Sequence, residues 1–258
     1  MPQLYLRGQD LGEINCIIFD KDGTLINTER GLLDIAKLRI EKTIKIMNFL
    51  KYGKDKIEDT KRNLEKIYGL NNQSIAPEGA MAIASREQNL ISTATIISIT
   101  GITWSKALQI SSDAFDLVDL ITQEKNAKEN NQVNLPGSIS LIKGLKKKGF
   151  ILGIITNDNK AGLNNYLFKN DLNNCFNHCF SSEDLPPKPN PKAIENLCKV
   201  LNVKSSQCAL ISDSDLDLLM AKESKIKIIL GYTGGWSIPP KLYEHDHLIH
   251  RWNEITYQ

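Results

Sequence analysis

A short apolar strand that ends in a cluster of acidic residues constrains the fold of this chain more than any other feature. Residues 14–19 are almost all apolar, and the run stops at Asp20-Lys21-Asp22-Gly23-Thr24. A strand without regular polar alternation is typical of a parallel sheet whose two faces are covered by helices. Ligands of such sheets bind beyond the carboxyl ends of the strands. The sequence therefore predicts a functional loop at residues 20–24.

The rest of the chain divides into a helical segment and an alternating segment. From residue 28 the apolar spacing predicts helices at residues 29–50, 55–68, 86–99 and 104–121. Ser85 and Gln88 fit a capping box at the start of the third helix. A polar run at residues 124–134 indicates a linker. Strands alternating with helices are then predicted near residues 151–156, 176–180, 208–211 and 226–230.

This order of elements predicts an α/β fold with a doubly wound parallel sheet and a Rossmann-like core. The same order predicts an all-helical cap domain inserted after the first strand. We expect the α/β catalytic core to comprise residues 1–27 and 133–258, and the helical cap domain to comprise residues 28–132.

Composition disfavours several classes of protein. The formal net charge of the 258 residues is +2, which gives no indication of a nucleic-acid or membrane-surface partner. The most apolar stretch, residues 91–102, is too short to span a bilayer, and residues 1–10 lack the apolar run of a secretion signal. The five cysteines lack the paired spacing of zinc sites or disulfide frameworks. We expect a cytoplasmic monomer or homodimer.

Polar residues follow three of the predicted strands. Asp20 and Asp22 come after the first strand, Thr156 ends the second, and Asp213 follows the fourth. If these strands are neighbours, the carboxylates gather at one edge of the sheet, and such a cluster of oxygen donors favours Mg²⁺. Lys188, in a proline-rich loop, adds a fixed positive charge. This combination is suited to binding a phosphoryl group.

Four motifs stand in a fixed order along the chain: Asp20-Lys21-Asp22-Gly23-Thr24-Leu25, Ile154-Ile155-Thr156-Asn157, Lys188 in Lys-Pro-Asn-Pro, and Asp213-Ser214-Asp215-Leu216-Asp217. With these motifs the sequence resembles the haloacid dehalogenase superfamily, in its phosphatase branch with a helical cap, and there the phosphoglycolate phosphatases. Ser212 and Leu216 depart from the pattern, since family members often have Gly and Asn at these positions.

The resemblance implies a magnesium-dependent phosphohydrolase that cleaves small phosphate monoesters. Asp20 is then the nucleophile that becomes an aspartyl-phosphate, and Asp22 is the general acid and base. By the same resemblance, Thr156 donates to a phosphate oxygen, and Lys188 offsets the charge on Asp20 and on the phosphoryl group. The expected partner is a small phosphorylated metabolite.

The resemblance also implies a metal site and a substrate site. Mg²⁺ is expected to bind Asp20, the backbone carbonyl of Asp22, Asp213 and, through water, Asp217. Substrate contacts are expected from Gly23, Thr24 and Asn157 in the core and from Arg86 and Asn89 in the cap.

Particular residues favour or disfavour the alternative functions. A sugar-phosphate mutase of the same superfamily shares both aspartates, but the resembling mutases carry a His after the first motif, and residues 26–37 contain none. A non-catalytic regulatory module that binds phosphoryl groups is a further alternative. Haloacid dehalogenases lack the second Asp of the first motif, so Asp22 disfavours dehalogenation.

Overall fold

The computed structural model describes residues 2–71, 73–128 and 133–258. The chain divides into an α/β unit, built from Met1–Thr28 and Gln132–Gln258, and a helical unit, Glu29–Asn131. The domain boundaries predicted from the sequence differ from these by one residue. Residues 129–132 of the predicted linker lie outside the described residues.

The secondary-structure elements are numbered in chain order. The strands are β1 (Gln3–Leu6), β2 (Gln9–Glu13), β3 (Cys16–Phe19), β4 (Ile26–Asn27), β5 (Leu70–Asn71), β6 (Ser74–Ile75), β7 (Val133–Asn134), β8 (Ile151–Ile155), β9 (His178–Phe180), β10 (Cys208–Ser212), β11 (Ile228–Tyr232), β12 (His247–Ile249) and β13 (Ile255–Tyr257). The α-helices are α1 (Glu29–Phe49), α2 (Lys54–Tyr68), α3 (Ala80–Ile83), α4 (Arg86–Ile99), α5 (Trp104–Lys128), α6 (Ser138–Lys147), α7 (Lys160–Lys169), α8 (Pro191–Val200) and α9 (Asp215–Glu223).

The α/β unit is built on a parallel sheet with the strand order β12-β11-β10-β3-β8-β9. Strand β3 lies at its centre, where Phe19 is level with Ile211 on one side and Ile154 on the other. The chain adds β8 and β9 on one side of β3 and then β10 to β12 on the other. The doubly wound sheet predicted from the sequence is confirmed, and its strand order reverses between β3 and β10, where such sheets bind ligands.

Side chains of β3 alternate between two hydrophobic cores. Ile17 and Phe19 pack on one face with residues of α6 and α7, whereas Cys16 and Ile18 pack on the other face with residues of α8 and α9. Because both faces of the strand are covered, every one of its positions is apolar and buried. The carboxyl end of β3 therefore lies at the edge of the sheet, directly after a strand that is covered on both faces.

The helical unit has a core of its own, formed by residues of α1, α4 and α5 and the loop between the last two: Met47, Ala94, Ile97, Ile102, Ala107 and Ile110. The predicted capping box is confirmed, since the Ser85 side chain accepts from the Gln88 backbone and Gln88 accepts from Ser85 in return. Helix α5 runs to Lys128, beyond the predicted end at residue 121. The unit also carries the antiparallel pair β5–β6, which the helical periodicity did not predict.

A three-stranded antiparallel sheet, β13-β1-β2, joins the two ends of the chain and was not predicted. Leu4 lies opposite Tyr257, and both Leu4 and Leu6 are buried against the α/β core. Strand β1 is too short to stand out by periodicity, and its partner comes from the far end of the sequence. Among the helices of the described ranges, none has the length and apolar character needed to cross a membrane.

Candidate active site

The residues predicted to be catalytic or to bind a metal follow β3, β8 and β10, whose carboxyl ends lie at one edge of the sheet. Because β3 and β10 are neighbouring parallel strands, the backbone of Asp20 donates to the Ile211 carbonyl at 2.9 Å, and Asp213 follows two residues later. On the other side, Thr156 comes directly after β8, and its backbone donates to Phe180 at 3.0 Å. The side chains of Asp20, Thr156 and Asp213 are all buried.

Lys188 bridges two of the carboxylates. Its ammonium Nζ lies 2.6 Å from Asp20 Oδ1 and 2.6 Å from Asp217 Oδ2, and it also donates to the Ile155 carbonyl at 3.3 Å. Only 4% of the Lys188 side chain is exposed, so these contacts are shielded from water. Ser212 donates to the same oxygen of Asp217 at 2.8 Å. The lysine therefore holds the predicted nucleophile and a predicted metal ligand in one buried ion-pair network.

The charges of this network oppose one another. Burial raises the pKa of Asp20 well above its usual value, Lys188 lowers it, and the neighbouring carboxylates Asp217, Asp213 and Asp22 raise it again. Burial alone would lower the pKa of Lys188, but Asp20 and Asp217 reverse this effect and raise it. Lys188 thus faces more than one carboxylate, and negative charge is in excess around Asp20.

The loop after β3 turns at Gly23, whose φ of +78° lies in the left-handed region that glycine tolerates. The Gly23 backbone donates to the Ile26 carbonyl at 2.9 Å, which closes the turn. A Cβ atom at this position would lie 2.1 Å from Asp213 Oδ2. Glycine is needed here both for the backbone conformation and for the close approach of the Asp213 carboxylate.

Asp213 is held by two donors on opposite sides. Thr24 Oγ1 donates to its Oδ1 at 2.7 Å, and the indole Nε1 of Trp236 donates to its Oδ2 at 2.6 Å. Burial raises the pKa of Asp213, the hydrogen bonds from Trp236 and Thr24 lower it, and the nearby Asp217 raises it. The result is a pKa of about 6. Thr24 therefore orients an acidic side chain in this structure, and the substrate contacts predicted for Gly23 and Thr24 stay predictions.

The loop after β11 closes against the turn at Gly23. A Cβ atom at Gly235 would lie 1.7 Å from the Gly23 carbonyl oxygen, so only glycine permits this approach of two backbones. The neighbouring Trp236 is 9% exposed and places its N–H on Asp213. This contact of Trp236 with Asp213 was not predicted from the sequence.

Asp22 contacts a lysine and a threonine through its two carboxylate oxygens. The ammonium of Lys21 lies 2.8 Å from Oδ1, and Thr156 Oγ1 donates to Oδ2 at 3.4 Å. Lys21 also lies 3.1 Å from Asp158 Oδ2, and its side chain is 1% exposed. Burial alone would lower the pKa of Lys21, but Asp22 and Asp158 together raise it. Sequence reasoning missed Lys21 and Asp158, because residue types alone do not reveal which lysines are buried.

The donor chemistry of the site fits Mg²⁺. The side chains of Asp20, Asp213 and Asp217 supply oxygen atoms, the donors this ion prefers, and their surplus negative charge is of the kind a divalent cation offsets. In the arrangement seen here these carboxylates accept from protein donors. Within the described ranges, no three His, Cys, Asp or Glu side chains are gathered in a geometry that could hold a metal ion. The metal site therefore stays a prediction.

The two predicted cap contacts have partners within the helical unit. The Arg86 guanidinium lies 2.8 Å from Asp116 Oδ1 and 2.6 Å from Asp119 Oδ2. Asn89 is 2% exposed, and its amide donates to the carbonyls of Ala80, Ala84 and Ser85. These contacts give both side chains a structural role in the bundle, and substrate binding by Arg86 and Asn89 stays a prediction.

Asn157, the remaining predicted substrate contact, follows Thr156 at the end of β8 and is exposed. It therefore lies at the same edge of the sheet as the buried carboxylates, where a bound molecule could reach it. A role for Asn157 in substrate binding likewise stays a prediction.

Known proteins resemble this chain in sequence and in fold. A model of the haloacid dehalogenase-like hydrolases matches residues 14–225. A phosphoglycolate phosphatase from Colwellia psychrerythraea is 28% identical over 228 residues, which are 88% of this chain and 88% of that protein.

Solved structures share the fold at lower identity. The structure of a predicted phosphoglycolate phosphatase from Haemophilus somnus has a TM-score of 0.63 at 20% identity, covering 93% of this chain and 95% of that one. A haloacid dehalogenase-like family hydrolase from Streptococcus pneumoniae has a TM-score of 0.55 at 19% identity, covering 93% and 96%. At these identities the likeness supports the fold alone.

Proposed function

The chain belongs to the haloacid dehalogenase-like hydrolases and is a phosphatase of that family, and we propose that it hydrolyses small phosphate monoesters through a phosphoryl group carried by Asp20. The observation that carries the proposal is the buried contact of Lys188 with both Asp20 and Asp217, each at 2.6 Å. A fixed cation beside a carboxylate at the carboxyl end of the central strand is suited to receiving a phosphoryl group.

In the first step, an oxygen of Asp20 attacks phosphorus and the bond from phosphorus to the leaving oxygen breaks. Asp22 gives its proton to that oxygen, because an alkoxide is a poor leaving group. Lys188 stabilises the negative charge spread over the phosphoryl oxygens, and Thr156 donates a hydrogen bond to one of them.

In the second step, a water molecule attacks the phosphorus of the aspartyl-phosphate. Asp22, now a carboxylate, takes a proton from this water, and the bond between phosphorus and the Asp20 oxygen breaks. Inorganic phosphate leaves, and both aspartates return to their initial states. The two-residue separation of Asp20 and Asp22 across a tight turn lets one loop supply the nucleophile and the acid.

We include Mg²⁺ in the proposal, held by the side chains of Asp20 and Asp213, by the backbone carbonyl of Asp22 and, through water, by Asp217. When bound, the ion neutralises charge on the phosphoryl oxygens and on the clustered carboxylates. The support is the oxygen-donor set and the raised pKa of Asp20 and Asp213 described above. A cytoplasmic location is part of the same proposal and rests on composition.

The substrate class that we propose is a small phosphorylated metabolite. The curated relative from Colwellia psychrerythraea is named for phosphoglycolate, a two-carbon acid phosphate, and this is the first compound to test. Larger polymers such as nucleic acids are disfavoured by a net charge of only +2.

The decisive experiment measures inorganic phosphate released from a panel of phosphorylated metabolites with and without Mg²⁺. An Asp20→Asn variant should lose activity, whereas Asp171→Asn, at an aspartate whose side chain is 95% exposed, should not. Acid quenching during turnover should trap a phosphoryl mass on the peptide that contains residue 20. An Asp20→Asn protein that retains full activity would overturn the proposal.

The product distinguishes a sugar-phosphate mutase from a phosphatase. With a hexose phosphate, a mutase returns an isomer, whereas a phosphatase releases inorganic phosphate. We expect free phosphate and no isomer.

A further inference from the structure

We propose that Lys21 and Asp158 form a positioning pair that selects which carboxylate oxygen of Asp22 exchanges the proton. The proposal rests on the proposed function, because it assigns a task to the acid and base of that reaction. Lys21 and Asp158 contact Asp22 or each other and need not touch the substrate, so we describe them as positioning residues.

The burial of Lys21 is the first observation. Its side chain is 1% exposed, and its ammonium is 2.8 Å from Asp22 Oδ1 and 3.1 Å from Asp158 Oδ2. A buried ammonium is costly unless it is paired, and leaving it with no partner destabilises a protein strongly. The two carboxylates thus supply the partners that this buried cation needs.

The chemistry of an ammonium group decides which oxygen of Asp22 is free. Lysine offers three donors and no acceptor, so the oxygen that faces Lys21 can accept a hydrogen bond but cannot donate one to it. Oδ1 is thereby held as an acceptor. The exchangeable proton of Asp22 then resides on Oδ2, whose neighbour Thr156 Oγ1 lies at 3.4 Å and, as a hydroxyl, can accept as well as donate.

Asp158 is itself fixed by the loop between β8 and α7. Its backbone N–H donates to Thr156 Oγ1 at 3.1 Å, and the Asn159 backbone donates to its Oδ1 at 2.8 Å. A Cβ atom at residue 162 would lie 2.4 Å from Asp158 Oδ2, so the glycine in the first turn of α7 makes room for this carboxylate. The second carboxylate keeps the ammonium paired whether Asp22 is protonated or ionised.

The competing explanation is that Lys21 and Asp158 only stabilise the fold. The two explanations are separated by how the loss of kcat/KM in the variants depends on the leaving group of the substrate. An ethyl phosphate needs a proton on its leaving oxygen, whereas p-nitrophenolate departs without one. Since kcat/KM reports the steps through the loss of the leaving group, misplacing the Asp22 proton should lower kcat/KM for ethyl phosphate far more than for p-nitrophenyl phosphate. Loss of folded protein would lower both equally.

The test compares kcat/KM for these two substrates in Lys21→Met, Lys21→Arg and Asp158→Asn proteins. General acid catalysis contributes about 10²–10⁴-fold, so we expect Lys21→Met to lose roughly 100-fold with ethyl phosphate and only a few-fold with p-nitrophenyl phosphate. Lys21→Arg should recover part of the loss. Asp158→Asn, at a side chain that is 26% exposed and of unchanged shape, should fold and show a smaller selective loss, because Lys21 still faces Asp22 Oδ1 but has lost its second ionised partner.

The matched control is Lys143→Met, which removes a lysine 3.1 Å from Asp171 on the surface of the same unit and should change neither value. Equal losses with both substrates in Asp158→Asn, or no loss in any variant, would overturn the proposal. Failure of the proposed function is distinguishable, because the unmodified protein would then release no phosphate from either substrate.

Discussion

Removal of the Lys188 ammonium is the perturbation whose consequence follows most directly from the structure. Lys188→Met keeps most of the side-chain volume but takes away the cation that lies 2.6 Å from both Asp20 and Asp217. At an effective dielectric constant of about 20, two unit charges at this distance attract by roughly 6 kcal/mol, and desolvation offsets much of that. Removing one partner of a buried pair costs about 3–5 kcal/mol, because the remaining charge is left uncompensated.

The unfolding free energy that Lys188→Met loses should depend on pH. Burial already raises the folded-state pKa of Asp20, and loss of Lys188 raises it further. A carboxyl group whose pKa is higher in the folded than in the unfolded state destabilises the fold once the pH passes the unfolded value, about 4. We therefore expect the stability lost by Lys188→Met to be small near the unfolded value and to grow as the pH rises through the raised folded-state pKa of Asp20.

Urea unfolding of both proteins without divalent cations at pH 5 and pH 8 measures this effect. At pH 8 we expect a deficit of about 3 kcal/mol in the unfolding free energy. Lys143→Met, which breaks a surface ion pair, should stay within about 0.5 kcal/mol. The reasoning is refuted if the Lys188→Met deficit is absent at pH 8 or equal at the two pH values.

Three further changes have defined outcomes. Gly23→Ala should lower the unfolding free energy by about 2 kcal/mol or more in urea titrations, because its Cβ would lie 2.1 Å from Asp213 Oδ2. The control is Gly8→Ala, which has a similar φ of +81° but no atom within 4 Å of its Cβ, and it should cost about 1 kcal/mol. Trp236→Phe should weaken Mg²⁺ binding measured by calorimetry about 10-fold, because it removes the donor to Asp213 Oδ2; unchanged affinity would contradict this. Because the Asp213 pKa is raised to about 6, metal-free protein should lose stability from pH 4 to pH 7, and added Mg²⁺ should raise the melting temperature more at pH 7.5 than at pH 5.

The elements that the sequence predicted are those whose signal is local. The apolar run of β3, the acidic loop after it and the capping box of Ser85 and Gln88 can each be recognised within a few residues, and all three are present. The convergence of Asp20 and Asp213 needed one more rule, that strands of a doubly wound sheet end at the same edge. The order of β10 next to β3 confirms that reasoning.

Features that depend on distant partners could not be predicted from the residues alone. The contact of Trp236 with Asp213 exists because Gly235 packs directly on the Gly23 backbone, and neither glycine reveals this by its neighbours in sequence. The burial of Lys21 is equally hidden, since a lysine between two aspartates is typical of an exposed loop. The pairing of β1 with β13 joins segments from opposite ends of the chain.

The central place of β3 has a consequence for how the polypeptide assembles during translation. The ribosome releases this strand early, while its neighbours β8 and β10 emerge only after the whole inserted helical unit. The contiguous helical unit can assemble first, but the apolar residues of β3 have no strand to join until much later. We expect a chain truncated near residue 131 to expose the hydrophobic residues of β3, which would make it a substrate for chaperones.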